Sequence, residues 1–475
     1  MNNWLVNNYV VIIIYFISGL LDILFMFYSN WMLDDGMINA TIVRTFKDTN
    51  LLTHHPSDIL STSTSPLFTL FAGILSKIGF HEIISLKLIG IVSLKSVAFV
   101  FYLQAKETFN SYYGYLVLIG ILFFAPNIAY AQCGLETFLY SFLVIFCLRM
   151  LFIKEYKWSI YSLAILIMIR PDGILLAPIV LFLIIKDKSL DSEIIYTFLI
   201  ASFIFLFYLI CHYLYFDSFI PHSIIAKRAQ HGSFFENKFF WNIYKYINRM
   251  FIERFYLAPI YPLAILGAMK SYKLNNRFII YISWWLVYHI VFSIFIPLFS
   301  WYLIPPMPVL LFFSMIGLMA VLKKITEKYF RLRFAAYFMV IITSAIFTSE
   351  YFNHKKEMGN YNTHVLKALG QWLNLASNIH DTITTESLGY IGYYSKRKIY
   401  DMPGLANREI PVLLENSRDD GLFEIVITSK NPNYLALREA EWDQLNVSIK
   451  KQYKKIKDFQ SPNSHGPSYI VAVVN

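Results

Sequence analysis

A polytopic α-helical membrane protein carrying a small soluble α/β domain at its C-terminal end is the fold class this sequence predicts. Three observations carry it. Of the 475 residues, 57% are hydrophobic and 18% aromatic, while only 15% are charged; a soluble domain carries about 25% charged residues. The apolar residues fall in runs near the roughly 20 residues that cross a hydrocarbon core. From Glu350 onward the composition turns to that of a soluble chain.

The first run, Tyr9 to Tyr28, is of span length, and the MNNWLVNN that precedes it lacks the positive charge and cleavage site of a secretory signal, so it reads as a retained first helix. The loop from Ser29 to Thr64 holds Asp34, Asp35, Asp48 and Asp58 against Arg44 and Lys47, which places it on the outer face. Within it, Asp34 and Asp35 stand at an N-cap position, and Ile38, Ile42 and Phe46 recur every four residues, predicting a short amphipathic helix along the membrane face. Leu67 to Gly79 is apolar but too short to cross, and reads as re-entrant or interfacial.

Further spans follow near Ile83 to Tyr102, Tyr113 to Tyr130, Leu135 to Phe152, Trp158 to Arg170, Gly173 to Lys186 and Glu193 to Tyr215. After a polar loop from Phe216 to Arg254 come Leu257 to Met269, Phe278 to Phe299, Tyr302 to Leu322 and Arg333 to Thr348. At about 20 residues per crossing this makes about eleven transmembrane helices. That count puts Lys154/Lys157, Lys186/Lys188, Lys270/Lys273/Arg277 and the 323–333 basic run on the inner side, as Lys and Arg prefer. It therefore accounts for the net charge of +10 without a nucleic-acid partner.

Two parts result: a transmembrane part, residues 1–349, and an outer α/β domain, 350–475. In the latter, Asn362 to Asn378 reads as a helix, Thr382 to Glu386 and Ile399 to Asp401 as short strands, Phe423 to Thr428 and Tyr469 to Val474 as buried strands, and Tyr434 to Gln444 as helical. Cys133, Cys147 and Cys211 have no metal-ligand spacing, and His54-His55 lacks a third ligand.

The unusual polar groups gather on the outer face. Arg170 and Asp172 flank Pro171 at a helix break; a charge at bilayer depth costs about 2.5–3.5 kcal/mol, so they face a cavity or each other. Glu136 begins a span on the same side and reads either as a cavity carboxylate or as a solvated acid favoured by the helix dipole. The outer loop brings His222, Lys227 and Arg228, cations suited to a phosphate leaving group or, equally, to anionic lipid heads. Trp301 and Tyr302 fit an interfacial aromatic belt, but Pro305, Pro306 and Pro308 behind them loosen the start of the next span. Outward carboxylates, outward cations and a membrane frame suit transfer of a sugar from a lipid phosphate to an acceptor hydroxyl, with one Asp taking the proton.

Seven islands in chain order support that chemistry: LDDGMINATIVRTF, STSPLFTLFAGIL, CGLETFLY, IRPDGILLAP, FDSFIPHSIIAKR, SWYLIPPMP and SLGYIGYYSKRKIYDMPGLAN. Together they resemble the GT-C fold, polyprenyl-phosphate-dependent glycosyltransferases, and within them the bacterial cell-wall arabinofuranosyltransferases that use decaprenyl-phosphoryl arabinofuranose. The resemblance implies that Asp34 or Asp35 is the catalytic base, with Lys227 and Arg228 near the donor phosphate. Donor and acceptor would be bound by Glu136, Arg170, Asp172, His222, Lys227, Arg228, Trp301 and Tyr302. It further implies a bacterial inner-membrane protein with its active site on the periplasmic face, and partners comprising a polyprenyl-phosphate sugar, a glycan or lipid acceptor and membrane lipids. Some GT-C enzymes require a divalent metal and others do not, so the metal stays unknown. Gly36-Met37, Asp172 and His222-Ser223 depart from the usual Ala-Phe, Glu and Asn-Thr, which leaves the sugar open. Two other function classes remain beside it: a transporter or flippase of lipid-linked sugars, and a non-catalytic envelope-assembly scaffold.

Overall fold

A computed structural model of the chain describes residues 2–231, 239–252, 257–295, 299–328, 333–415, 421–462 and 466–475. Parts of the expected 216–254 loop, of the Phe278 to Phe299 span and of the 323–333 basic run lie outside these residues.

The chain begins with α1 (Asn2–Ser29), then α2 (Asp34–Thr49) and α3 (Pro66–Lys77), which precede the long α4 (Glu82–Thr108). Next come α5 (Ser111–Leu122) and α6 (Ala125–Ala131), α7 (Thr137–Phe152), α8 (Tyr156–Ile169), α9 (Ala177–Lys186) and α10 (Ser192–Phe216). The outer loop holds α11 (His222–His231) and α12 (Phe239–Ile247), and α13 (Ile260–Leu274), α14 (Ile279–Phe295) and α15 (Met307–Lys328) complete the apolar frame.

Among the described residues five helices are long and apolar enough to cross a membrane, or six if α5 and α6, bent by 58° to one another, count as one span. The other expected crossings fall in α7, α8, α9 and α13, which are shorter helices, and in the 29-residue helix Arg333–Tyr361, which is not among the five. The largest break is chemical. Arg170 is extended (φ −147°, ψ 128°) because it precedes Pro171, which opens a single 3₁₀ stretch to Leu176 in place of a continuous helix. On α10, Phe203, Phe207 and Leu214 are exposed along the helix. A helix covered with bare apolar side chains is at home in hydrocarbon, so the protein is an integral membrane protein.

The expected boundary at 349/350 falls inside α16 (Arg333–Tyr361), which runs on through one π-helical stretch into α17 (Ala368–Ala376). Beyond it lie β1 (Thr382–Thr385), α18 (Leu388–Ser395), β2 (Lys398–Asp401), α19 (Glu409–Glu415), α20 (Leu422–Lys430), β3 (Tyr434–Arg438), α21 (Glu439–Gln444), α22 (Val447–Gln452), β4 (Tyr453–Phe459) and β5 (Tyr469–Val474). The sheet order is β2-β1-β3-β5-β4, with β1 parallel to both β2 and β3 and the other pairs antiparallel.

Two secondary-structure expectations are overturned here. Phe423 to Thr428 is helical, within α20, because the chain must cross over between parallel strands and buries Val426 and Ile427 as it does so. A short β-branched run cannot by itself distinguish the two states. Tyr434 to Gln444 is strand β3 followed by α21; its first four residues are all buried at the centre of the sheet.

The C-terminal domain does not stand apart. Ile38 and Ile42 of α2 share one buried cluster with Leu388 and Ile391 of α18 and Val471 of β5. Two of the three residues of the apolar face expected to lie along the membrane are thus buried with the domain, whereas Phe46 packs against Gly73 and Lys77 of α3.

Candidate active site

Three backbone accidents bring the site together. At the start of α2, Leu33 is the N-cap residue, so Asp34 and Asp35 are its first two helical residues rather than its cap. The first turn lies directly on the 133–136 turn: Leu33 N–H donates to Cys133 O at 3.3 Å, Asn39 Nδ2 donates to Gly134 O at 2.9 Å, and a Cβ on Gly36 would overlap the Cys133 carbonyl. Only glycine allows this approach, and it sets Glu136 beside the acid pair. From the other side, Ser223 N–H donates to Ser61 O at 3.3 Å and fixes the start of α11 against the 61–64 loop.

The two acids then part. Asp34 turns to the C-terminal domain, where its Oδ2 accepts from Gly389 N–H at 3.0 Å and its Oδ1 from Tyr390 N–H at 2.9 Å. These are orphan donors of the first turn of α18, so Asp34 caps a helix more than three hundred residues away. A Cβ on Gly389 would overlap Asp34 O, which is why the helix can seat there. Burial pushes the Asp34 carboxyl up to about 7, the two N–H donors pulling it down and Asp35 adding to the rise.

Asp35 faces the opposite way, into a cavity of about 310 Å³. Lys227 Nζ stands 3.6 Å from Asp35 Oδ2. Burial works against the Lys227 charge, but Tyr302, Asp35 and Glu136 more than offset it and hold its pKa above the ordinary value. The same cavity is lined by Glu136, Arg170, Asp172, Arg228, Trp301 and Tyr302. Arg170 is held in a fork by Asp172, Nε to Oδ1 at 3.0 Å and Nη2 to Oδ2 at 2.9 Å, with Glu136 Oε1 3.7 Å from its Nη1. Its guanidinium sits over the rings of Tyr140 at 4.6 Å and Tyr302 at 5.3 Å. Trp301 is stacked on Phe299, 4.7 Å between centroids, and Lys227 lies 5.6 Å over that same Phe299.

Of the residues singled out in the sequence, Asp34 and His222 do not line this cavity. His222 is buried, its Nε2 2.9 Å from Gly404 O and 3.1 Å from Asn407 O. It fastens α11, and with it Lys227 and Arg228, to a turn of the C-terminal domain. That turn is organised by Asp401, whose carboxylate accepts from Leu405 N–H at 2.6 Å, Ala406 N–H at 2.9 Å and Asn407 Nδ2 at 3.2 Å.

Sequence reasoning missed Phe292, Phe299 and the hydroxyl run Thr62, Ser63 and Thr64, which line this cavity or the recess beside it. The STSP that precedes the apolar Leu67 to Gly79 belongs to one of the sequence islands, and nothing in its spacing shows that it folds back on the acids. His54 is buried and His55 Nδ1 lies 2.9 Å from Ser57 Oγ. Among the described residues no group of three or more His, Cys, Asp or Glu side chains could hold a metal ion.

Residues 354–473 match a family described as a domain of unknown function, DUF8728. No curated protein matches the chain. Solved structures do. ArnT from Cupriavidus metallidurans bound to undecaprenyl phosphate superposes with a TM-score of 0.64 at 10% identity, covering 97% of each chain. The archaeal oligosaccharyltransferase AglB from Archaeoglobus fulgidus, in complex with an inhibitory peptide and a dolichol-phosphate, matches with a TM-score of 0.57 at 12% identity, over 98% of this chain and 74% of that one. An A. fulgidus oligosaccharyltransferase complex with Zn and sulfate gives 0.56 at 12% identity, over 90% and 68%. At such identities the likeness is one of fold, the GT-C architecture of membrane helices followed by a C-terminal domain.

Proposed function

We propose that this integral membrane protein of GT-C fold is a glycosyltransferase that moves a sugar from a polyprenyl phosphate to an extracytoplasmic glycan or lipid acceptor. The observation that carries the reading is the 3.6 Å approach of Lys227 to Asp35 inside one cavity. A carboxylate able to take a proton and a cation able to meet a phosphate stand side by side there.

The charges divide the labour. Arg170 is held by Asp172 and Glu136, so Lys227 and Arg228 are the cavity-lining cations that meet the donor phosphate. In the reaction the acceptor oxygen attacks the anomeric carbon, its proton passes to Asp35, and the carbon–oxygen bond to phosphate breaks with the electron pair leaving on the phosphate. One base and one displacement give inversion. Asp34 acts through structure: it seats α18 and thereby orients Asp35, its neighbour in the chain. Trp301 and Tyr302 wall the cavity, and His222 holds α11 in place.

Two further observations support the donor class. ArnT was solved with undecaprenyl phosphate and AglB with a dolichol-phosphate, and this chain has their fold. The sequence islands favour arabinofuranose or a related pentose as the sugar. The reading places the protein in the bacterial inner membrane with the cavity and an outer domain, residues 350–475, on the periplasmic side. No cofactor is assigned.

The test is to incubate the purified protein with a panel of radiolabelled polyprenyl-phosphate sugars and envelope extract. A new glycosidic product is expected with at least one donor. Movement of the labelled lipid across vesicles with no new bond would replace this reading by the transporter one.

A further inference from the structure

Beside the donor cavity lies a second, smaller space of about 20 Å³, and the two meet at Asp35, Thr64, Leu135 and Lys227. Their walls differ in kind. The donor cavity alone has Phe292, Phe299 and Trp301; the recess alone has Thr62, Ser63 and Ser223. Within it Thr62 and Ser223 are 4% and 2% exposed, and neither Thr62 Oγ1 nor Ser223 Oγ has a hydrogen-bond partner among the described residues. A buried hydroxyl left without a partner costs free energy, so two of them at one spot beside a carboxylate point to something polar that occupies the space.

We propose that this recess is the acceptor subsite, and that it takes a carbohydrate hydroxyl. The proposal rests on the glycosyltransferase reading above and adds to it where the acceptor sits. Three features argue for it. A single displacement needs the attacking hydroxyl and the leaving phosphate in different places about the anomeric carbon, and two separate spaces share Asp35 and Lys227 in their walls. The aromatic cavity suits a lipid phosphate, whereas a wall of hydroxyls suits a polyol. The size fits one hydroxyl: a site must offer roughly 10–15 Å³ to hold a water-sized group.

The size also says how the rest of the acceptor enters. Leu405 lines the recess from the C-terminal domain, at the turn that Asp401 organises and His222 clasps. A sugar ring is far larger than this space, so the attacking hydroxyl alone enters it and the ring lies at its mouth, beside the Leu405 turn. This gives the C-terminal domain a direct part in acceptor choice.

The experiment uses the full-length protein in detergent. Transfer is followed with octyl arabinofuranoside and octyl mannoside as acceptor probes, and donor binding is measured separately with undecaprenyl phosphate. The Thr62→Val/Ser223→Ala double variant, which keeps side-chain volume nearly constant, is expected to raise the acceptor KM about tenfold, the worth of two modest hydrogen bonds. Its affinity for undecaprenyl phosphate is expected to match wild type. Leu405→Trp, which fills the recess, is expected to abolish transfer and leave undecaprenyl phosphate binding intact. Unchanged acceptor KM in the double variant, or equal loss of donor and acceptor affinity, would overturn the proposal while leaving Asp35 as the base. Absence of transfer to any acceptor by wild type would remove the underlying reading as well.

Discussion

Asp34 Oδ1 accepts a hydrogen bond from the backbone N–H of Tyr390 at 2.9 Å, joining residues 356 apart in the chain. This bond, with its partner at Gly389, separates two adjacent acids that look interchangeable in sequence: one ties the membrane frame to the C-terminal domain and the other faces the cavity.

The first prediction follows from that division. Asp34→Ala leaves two N–H donors of α18 uncapped and is expected to destabilise the protein by about 1–3 kcal/mol. It should lower the apparent Tm in detergent and loosen α18 in hydrogen exchange. Activity at low temperature should fall far less than in Asp35→Asn. Equal activity loss in both variants, with no change in Tm for Asp34→Ala, would contradict the division.

A second prediction concerns pH. Burial raises the Asp34 carboxyl from 3.8 to about 7, so the folded state keeps a proton that the unfolded state has lost, and the stability this group contributes is lost as pH rises from about 4 to 7. Burial, with His55 and Arg44 nearby, pushes His54 from 6.5 down to about 3; that stability is lost as pH falls from about 6.5 toward 3. The two slopes oppose each other in the wild-type protein. Asp34→Asn should leave the His54 slope alone, giving an apparent Tm that climbs with pH between about 4 and 6.5 more steeply than in wild type. Parallel Tm curves would show that Asp34 does not titrate in this range.

Third, Arg170 holds two carboxylates in a buried cluster. Arg170→Met removes the cation from both and is expected to cost about 3–5 kcal/mol, the usual penalty for leaving a buried charge unpaired. Arg170→Met/Asp172→Leu removes charge from both sides and should recover part of that loss. A double variant no more stable than the single one in thermal unfolding would show that the cluster is not an ion pair of structural weight.

Fourth, His222 acts through α11. Loss of its contacts with Gly404 O and Asn407 O in His222→Ala should raise the donor KM several-fold through displacement of Lys227 and Arg228, and should increase exchange at 401–408. His222→Gln, whose amide N–H can stand where the imidazole Nε2 does, should restore part of both. Normal exchange at 401–408 with a raised KM would mean instead that His222 touches the donor.

Much of this arrangement was legible in the sequence because charges near hydrocarbon are costly and must find partners. Asp35, Glu136, Arg170, Asp172, Lys227 and Arg228 stand out on that ground alone, and they line one cavity. The frame was legible as apolar runs, and the Arg170-Pro171 break as a proline effect. What stayed hidden depends on contacts distant in sequence. Nothing local to Asp34 reveals that Gly389 and Tyr390 will present bare N–H groups to it, nor that Ile38 and Ile42 are covered by a domain rather than lipid. Phe423 to Thr428 has strand composition yet is helical, because the parallel pairing of β1 with β3 demands a crossover there. The hydroxyls of Thr62 to Thr64 carry no charge and no period, so only the fold shows where they end up.

The most direct test of the whole account is the rate of sugar transfer by purified Asp35→Asn, measured beside wild type with the radiolabelled polyprenyl-phosphate donor that wild type uses. Loss of a general base predicts a fall of about two to four powers of ten with undecaprenyl phosphate binding retained. Transfer at the wild-type rate would contradict it.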